Sequence, residues 1–188
     1  MKISLFLKML LPFFLILFSV LHSFSQTKTL VGLNLTVELL SGSTFVSGGG
    51  MMVERQVTRH SGIESGIYFR SYITDGYVQA GNNFYAFSIS ERYLSIPVLY
   101  KYYSAIVNFS IGPSFDYFLG GKQRSGLPDV KVENYAVSPA IAIGIQTKLS
   151  KPFNLSNRFI VEPELRFNPI ISTERSYLGI GIAAKYKL

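Results

Sequence analysis

The side chains best equipped for chemistry are few. His60 and Ser61 stand side by side, a base next to a hydroxyl, which is the minimal equipment for acyl transfer or lipid hydrolysis. They fall in Arg59-His60-Ser61-Gly62, whose composition is that of a tight turn. Glu162 and Glu164 lie two apart, roughly 7 Å along a strand, a separation used in two-carboxylate glycoside chemistry. On the same parity, Arg166 and Arg70 offer them ion pairs instead. Gly48-Gly49-Gly50 lacks the lysine and hydroxyl residue of a phosphate loop, and Gly179-x-Gly181 sits in strand-like sequence and precedes no helix. The chain has no cysteine, and beyond Ser25 its one histidine is His60. Asp75, Asp129 and Glu133 are scattered calcium ligands at best. The expectation is a non-enzyme with no catalytic, cofactor or metal site.

The elements that carry these residues read as strands. Met1 to Ser25 has the anatomy of a cleaved secretory signal. Lys2 and Lys8 lead into an apolar run, Met9 to Leu21, and Ser23 and Ser25 precede the cleavage position. Residues 26–188 then form one domain, with 16 basic residues against 11 acidic ones once Lys2 and Lys8 are removed from the 18 of the full chain. In that domain hydrophobicity recurs with period two. Val31, Leu33, Leu35, Val37 and Leu39 oppose Gly32, Asn34, Thr36 and Glu38. The same alternation returns over 63–74, 105–117, 135–149, 159–167 and 178–188, and less cleanly over 50–58 and 92–103, where Leu99 falls on the polar parity.

These strands predict an eight-stranded antiparallel transmembrane up-and-down β-barrel. Short turns are expected at 59–62, 103–104 and 150–157. Long outer loops are expected at Asp75–Ser90 and Gly120–Asn134, with shorter ones at Ser41–Ser47 and Thr173–Ser176. Gly32, Gly66, Gly112, Gly144, Gly179 and Gly181 all share the polar parity, as the interior of a narrow barrel requires. Parity alone does not say which face points inward. The glycines and charges favour a polar interior, with Glu38, Glu54, Glu64, Asp116, Glu162 and Glu164 balanced by Arg70, Arg166, Lys101, Lys148 and Lys185. Tyr72, Tyr77, Phe115, Tyr117 and Tyr135 are expected at one membrane interface, and Tyr102, Tyr103, Phe153, Phe159 and Tyr186 at the other. Lys122, Arg124, Lys131 and Arg175 in the outer loops are candidate contacts for lipopolysaccharide phosphates. Nucleic acid is excluded by export and by the absence of a basic patch interleaved with aromatics. Pro97, Pro113, Pro139, Pro163 and Pro169 run against the scheme, since each removes a ladder donor; bulges are the expected remedy, and one at Pro97 would explain Leu99.

The run Arg92-Tyr93-Leu94-Ser95-Ile96-Pro97-Val98-Leu99-Tyr100-Lys101-Tyr102, followed by Ile111-Gly112-Pro113-Ser114-Phe115, resembles the small outer membrane beta-barrel domain family. The resemblance implies an eight-stranded barrel in the bacterial outer membrane, in contact with its lipids, and brings no catalytic residue. Its members mostly lack an assigned activity, and one branch, PorT-like, is tied to protein secretion, which implies envelope or secretion protein partners; the role expected for this chain is a structural or interaction one through its outer loops. Leu188 departs from the terminal aromatic usual in such barrels.

Overall fold

The structure, a computed structural model, describes residues 28–40, 44–80, 83–125, 139–173 and 175–188. The expected signal, Met1 to Ser25, lies outside the described residues. The strands are β1 Thr29–Leu40, β2 Thr44–Gln56, β3 Ser61–Ala80, β4 Asn83–Tyr102, β5 Asn108–Ser125, β6 Ile141–Ser150, β7 Phe153–Asn154, β8 Phe159–Ile170 and β9 Arg175–Lys187. All pairings are antiparallel. Each strand pairs with its chain neighbours except β6 and β7, which do not pair with each other; β9 closes onto β1, and β6 pairs with β8. The two-residue β7 is not a ninth stave. It continues β6 along the same edge of β8 in unbroken register, Ser150 opposite Glu164 and Phe153 opposite Val161. The wall is therefore an eight-stranded closed ring.

The register fixes the tilt of the staves. Paired residues can be followed once around the ring from Thr29 through Arg55, Ile63, Tyr100, Ile111, Thr147, Phe167 and Leu178. The walk returns to β1 at Leu39, a shear of 39 − 29 = 10 residues. Such a stagger tilts the strands by about 35–45° and leaves an interior just wide enough for side chains.

Alternation decides inside from outside. On β1, Leu33, Leu35 and Val37 are exposed while Asn34, Thr36 and Glu38 are buried. On β8, Leu165 and Phe167 face out while Glu162, Glu164, Arg166 and Asn168 face in. A soluble barrel has the opposite polarity.

The prolines do not make bulges. Opposite Pro97 the β3–β4 ladder skips from Ser65–Val98 to Tyr68–Ser95 and resumes in the same register. Pro113 opens the β4–β5 ladder between Pro97–Ser114 and Tyr100–Ile111, and Pro169 opens β6–β8 between Gly144–Ile170 and Thr147–Phe167. The gap opposite Glu162-Pro163 is what separates β7 from β6, and there Lys151 N donates to the Pro163 carbonyl at 3.2 Å. Each in-strand proline thus costs two ladder pairs on one side and no register. Pro139 falls just before β6. Leu99 is accordingly no parity error: with no bulge at Pro97, it is a fully buried aliphatic inside the barrel. The register shifts occur elsewhere, between Ser88 and Ile89 and between Arg92 and Tyr93, next to Gly120 with its φ of 145°.

Of the two long outer loops expected, Asp75–Ser90 is largely strand, and Gly120–Asn134 is strand as far as Ser125, with 126–134 outside the described residues. Asp75–Ser90 belongs to a hairpin, with Asp75 paired to Ser88 and Ala80 to Asn83, and β5 runs on to Ser125. Pairing of β2 with β3 stops at Ser47–Ser71, and of β5 with β6 at Tyr117–Ile141. Residues 72–80, 83–93 and 118–125 therefore form a three-stranded arm, whose base is tied to the ring through Glu91, Tyr93 and Phe118 and whose outer part is held, among the described residues, by its own ladders. It extends roughly 30 Å past the ring, at about 3.3 Å per residue. The segment 41–47 is likewise mostly strand, since β2 begins at Thr44. At the other end, which holds Thr29 and Leu188, the turns are short. The expected turn 150–157 contracts to 155–158, where Leu155 N and Ser156 N both bond the Phe159 carbonyl.

Candidate functional site

The lumen concentrates the polar side chains and is layered. Nearest the termini, Lys101 and Lys185 each bridge Glu54 and Glu162. Lys101 Nζ lies 2.9 Å from Glu54 and 2.6 Å from Glu162, and Lys185 pairs with the same two carboxylates. Lys101 also reaches Glu64 at 3.5 Å. Glu64 passes the chain to Lys148, which lies 2.8 Å from Glu164, and Glu164 binds Arg166. Four carboxylates and four cations thus form one continuous neutral array, all buried. Asn34 Nδ2 donates to Glu164 at 2.8 Å, and the Tyr103 hydroxyl to Glu54 at 2.9 Å. The Arg166 guanidinium lies 5.0 Å above the Tyr68 ring, a cation–π contact.

The next layer is Arg70, set between Glu38 at 3.3 Å and Asp116 at 3.4 Å. The Asn168 amide, oriented to satisfy both its ends, accepts from Arg70 Nη1 at 3.0 Å and donates to Ser114 Oγ at 3.0 Å. Inward glycines make this crowding possible. A Cβ on Gly50 would stand 2.2 Å from the Ile67 carbonyl, and one on Gly112 would stand 2.1 Å from that of Val98. The Gly48–Gly50 triplet is therefore a packing device in mid-strand.

Above the charges lies an apolar layer that the sequence reading did not foresee: Leu40, Val46, Tyr93, Ala142, Ile170 and Tyr177. Val46 was missed because 41–47 reads as loop, and the inward parity of Ile170 and Tyr177 lies beyond the predicted strand ends. Glu91 and Arg175 join this layer, 3.0 Å apart, with the Tyr93 hydroxyl donating to Glu91 at 2.8 Å. A cavity of about 10 Å³ beside Asp116 and Arg175 has room for about one water.

The other sequence candidates fall as follows. His60 Nδ1 faces the Tyr103 carbonyl at 3.3 Å and its ring stacks on Tyr102, while Ser61 Oγ shares a 2.6 Å hydrogen bond with Thr58. Among the described hydrogen bonds none joins His60 to Ser61. Glu162 and Glu164 point the same way, but each is held by two cations. Asp75 accepts from Ser88 Oγ at 2.6 Å; Asp129 and Glu133 lie outside the described residues. Of the four candidate phosphate contacts, Lys122 is exposed on β5. The Arg124 side chain and all of Lys131 lie outside the described residues. Arg175 is the first residue of β9, where a loop was expected, and turns to Glu91. Tyr103 likewise turns inward, away from the expected girdle, whereas Phe115, Tyr117, Tyr102, Phe153 and Phe159 are exposed on the outside. Tyr135 and the Tyr72 side chain lie outside the described residues.

A closed ring of eight antiparallel strands, charged within and apolar without, is the fold of outer-membrane β-barrels. The solved structures it resembles are of that kind. A major outer membrane protein from Thermus thermophilus superposes with a TM-score of 0.54 at 14% identity, over 87% of this chain and 100% of that one. Neisserial surface protein A gives 0.48 at 11% identity over 87% and 98%. Ail, the attachment invasion locus protein of Yersinia pestis, in complex with the heparin analogue sucrose octasulfate, gives 0.47 at 9% over 86% and 97%. Of the three, the Thermus thermophilus protein carries the likeness in fold. No family profile matches the sequence, and no curated protein matches it.

Proposed function

We propose that residues 26–188 form a non-enzymatic outer-membrane barrel, exported by a cleaved signal at 1–25, in which a sealed wall anchors the β3–β4–β5 arm as an interaction element on the outer side. The observation that carries this reading is the polarity of the wall. A lumen packed with buried glutamates, lysines and arginines inside an apolar exterior makes sense only where the surrounding solvent is lipid. Transmembrane barrels keep short turns on the periplasmic side and longer excursions outside, which supports assigning the arm to the outer face. The neutral lysine–glutamate array and the apolar layer of Leu40, Val46, Tyr93, Ala142, Ile170 and Tyr177 support a lumen filled by side chains and closed to solutes. Each carboxylate that sequence spacing offers for catalysis is already held by cations, which supports an anchoring role over an enzymatic one. Nothing among the described residues favours the secretion-associated role of the PorT-like branch over this one.

Planar-bilayer recording tests the seal. The purified barrel is expected to give no steady conductance in molar salt. A stable open level in most insertions would refute the closed lumen.

A further inference from the structure

Among the described residues the inner cations of the barrel are all ion-paired, whereas two exposed cations, Arg92 and Lys122, meet on one patch of the outer wall. Following the β3–β4–β5 surface outward, successive rows of paired residues share the exterior face. Phe69, Leu94 and Tyr117 form the last row that is apolar on all three strands; Ser71, Arg92 and Gly120 form the next; Ile73, Ser90 and Lys122 follow. Arg92 and Lys122 are both exposed, and neither is ion-paired among the described residues. Two hydroxyls adjoin Arg92, Ser71 across the ladder and Ser90 along the strand and opposite Lys122, and their Oγ atoms lie 3.2 Å apart. Gly120 supplies no side chain beneath the guanidinium, since a Cβ there would lie 3.8 Å from Arg92 Nη2. Among the described residues the next acid outward on this face, Asp75, is one row further out and accepts from Ser88 Oγ. Glu91, although adjacent in sequence, points inward to Arg175.

We infer that Arg92, Lys122, Ser71 and Ser90 form a binding site for the phosphate of a lipid headgroup. Position selects the ligand. The two cations stand one to two rows above Phe69, Leu94 and Tyr117, roughly 7 to 14 Å along the strand at about 3.3 Å per residue. That is the level at which the phosphates of a lipid leaflet meet the rim of an apolar belt. The chemistry fits as well. A guanidinium presents a planar fork that takes two phosphate oxygens, a lysine adds a compact charge, and two hydroxyls can donate to the remaining oxygens. The inference rests on the barrel reading above and identifies the lipid it would hold. It brings in Arg92, a residue that sequence alone assigns to an ordinary strand.

The test is native mass spectrometry of the folded protein in non-ionic detergent, titrated with bis-phosphorylated lipid A and with the same lipid after dephosphorylation. Wild type is expected to retain the phosphorylated lipid, and Arg92→Gln with Lys122→Gln to lose retention roughly tenfold or more. A control pair at the opposite end, Arg59→Gln with Lys151→Gln, removes the same charge and should retain the lipid as wild type does. Four outcomes overturn the site: unchanged retention in the Arg92/Lys122 variant, equal loss in the control pair, equal binding of the dephosphorylated lipid, or displacement by equimolar inorganic phosphate. Heat-dependent gel migration of every sample separates these from a failure of the barrel itself. A variant that loses its heat shift is replaced by the two single substitutions.

Discussion

Replacing Lys101 by methionine removes one charge from the centre of the lumen while keeping nearly the same volume. Its ammonium lies 2.9 Å from Glu54, 2.6 Å from Glu162 and 3.5 Å from Glu64, with the side chain fully buried. The neutral array of Glu54, Glu64, Glu162 and Glu164 against Lys101, Lys148, Lys185 and Arg166 becomes four carboxylates facing three cations. Deleting one partner of a buried ion pair costs about 3–5 kcal/mol, because a desolvated charge is left uncompensated. The change of shape adds at most about 1.5 kcal/mol. Adding Glu162→Gln restores the balance, since Lys185 remains for Glu54. That second change should return about 1–3 kcal/mol, the usual coupling between contacting residues. The chain has no tryptophan, so urea unfolding of the vesicle-folded protein is followed by circular dichroism and by the gel shift of the folded form. A loss below about 1 kcal/mol, or a double variant whose cost is the sum of its parts, would refute the idea that this array is a cooperative element of the barrel.

Two further substitutions examine the wall. Gly112→Ala brings a Cβ to 2.1 Å from the Val98 carbonyl and is expected to cost at least about 1–3 kcal/mol or to block folding, whereas Gly49→Ala meets the Leu35 side chain at 3.1 Å and should fold in the same assay. Ile180 is 65% exposed on the lipid-facing side of β9, so Ile180→Arg should lose about 2–4 kcal/mol in vesicles; Leu155→Arg, in the terminal turn, should lose about 1 kcal/mol or less.

Most of the barrel was legible in the sequence because two-sided strands leave a period-two record. Leu33 against Asn34 and Leu165 against Arg166 already separate the faces, and glycines confined to one parity show which face lacks room. The inner charge partners were legible as a set, since buried charges must balance. Their pairing was not, because which lysine meets which glutamate depends on the shear. Three features escaped for physical reasons. The arm reads as loop because residues 72–90 lie beyond the apolar belt, where nothing enforces a hydrophobic face. Leu40, Val46 and Ile170 cap the lumen with apolar groups on the parity otherwise given to charge. The prolines suggested bulges, but antiparallel ladders alternate their bonds, so a missing donor opens the ladder on one side and leaves the register standing. Arg92 went unremarked because its significance lies in its neighbours, Ser71 and Gly120, from two other strands.

The central claim is that this chain folds as a barrel inside a lipid bilayer. Electrophoresis of the outer-membrane fraction, with and without boiling, tests it most directly. The account predicts that the protein is found in that fraction and that the unboiled form migrates apart from the boiled one, as a closed barrel resisting detergent does. A chain recovered in the soluble periplasm, migrating identically before and after boiling, would contradict it.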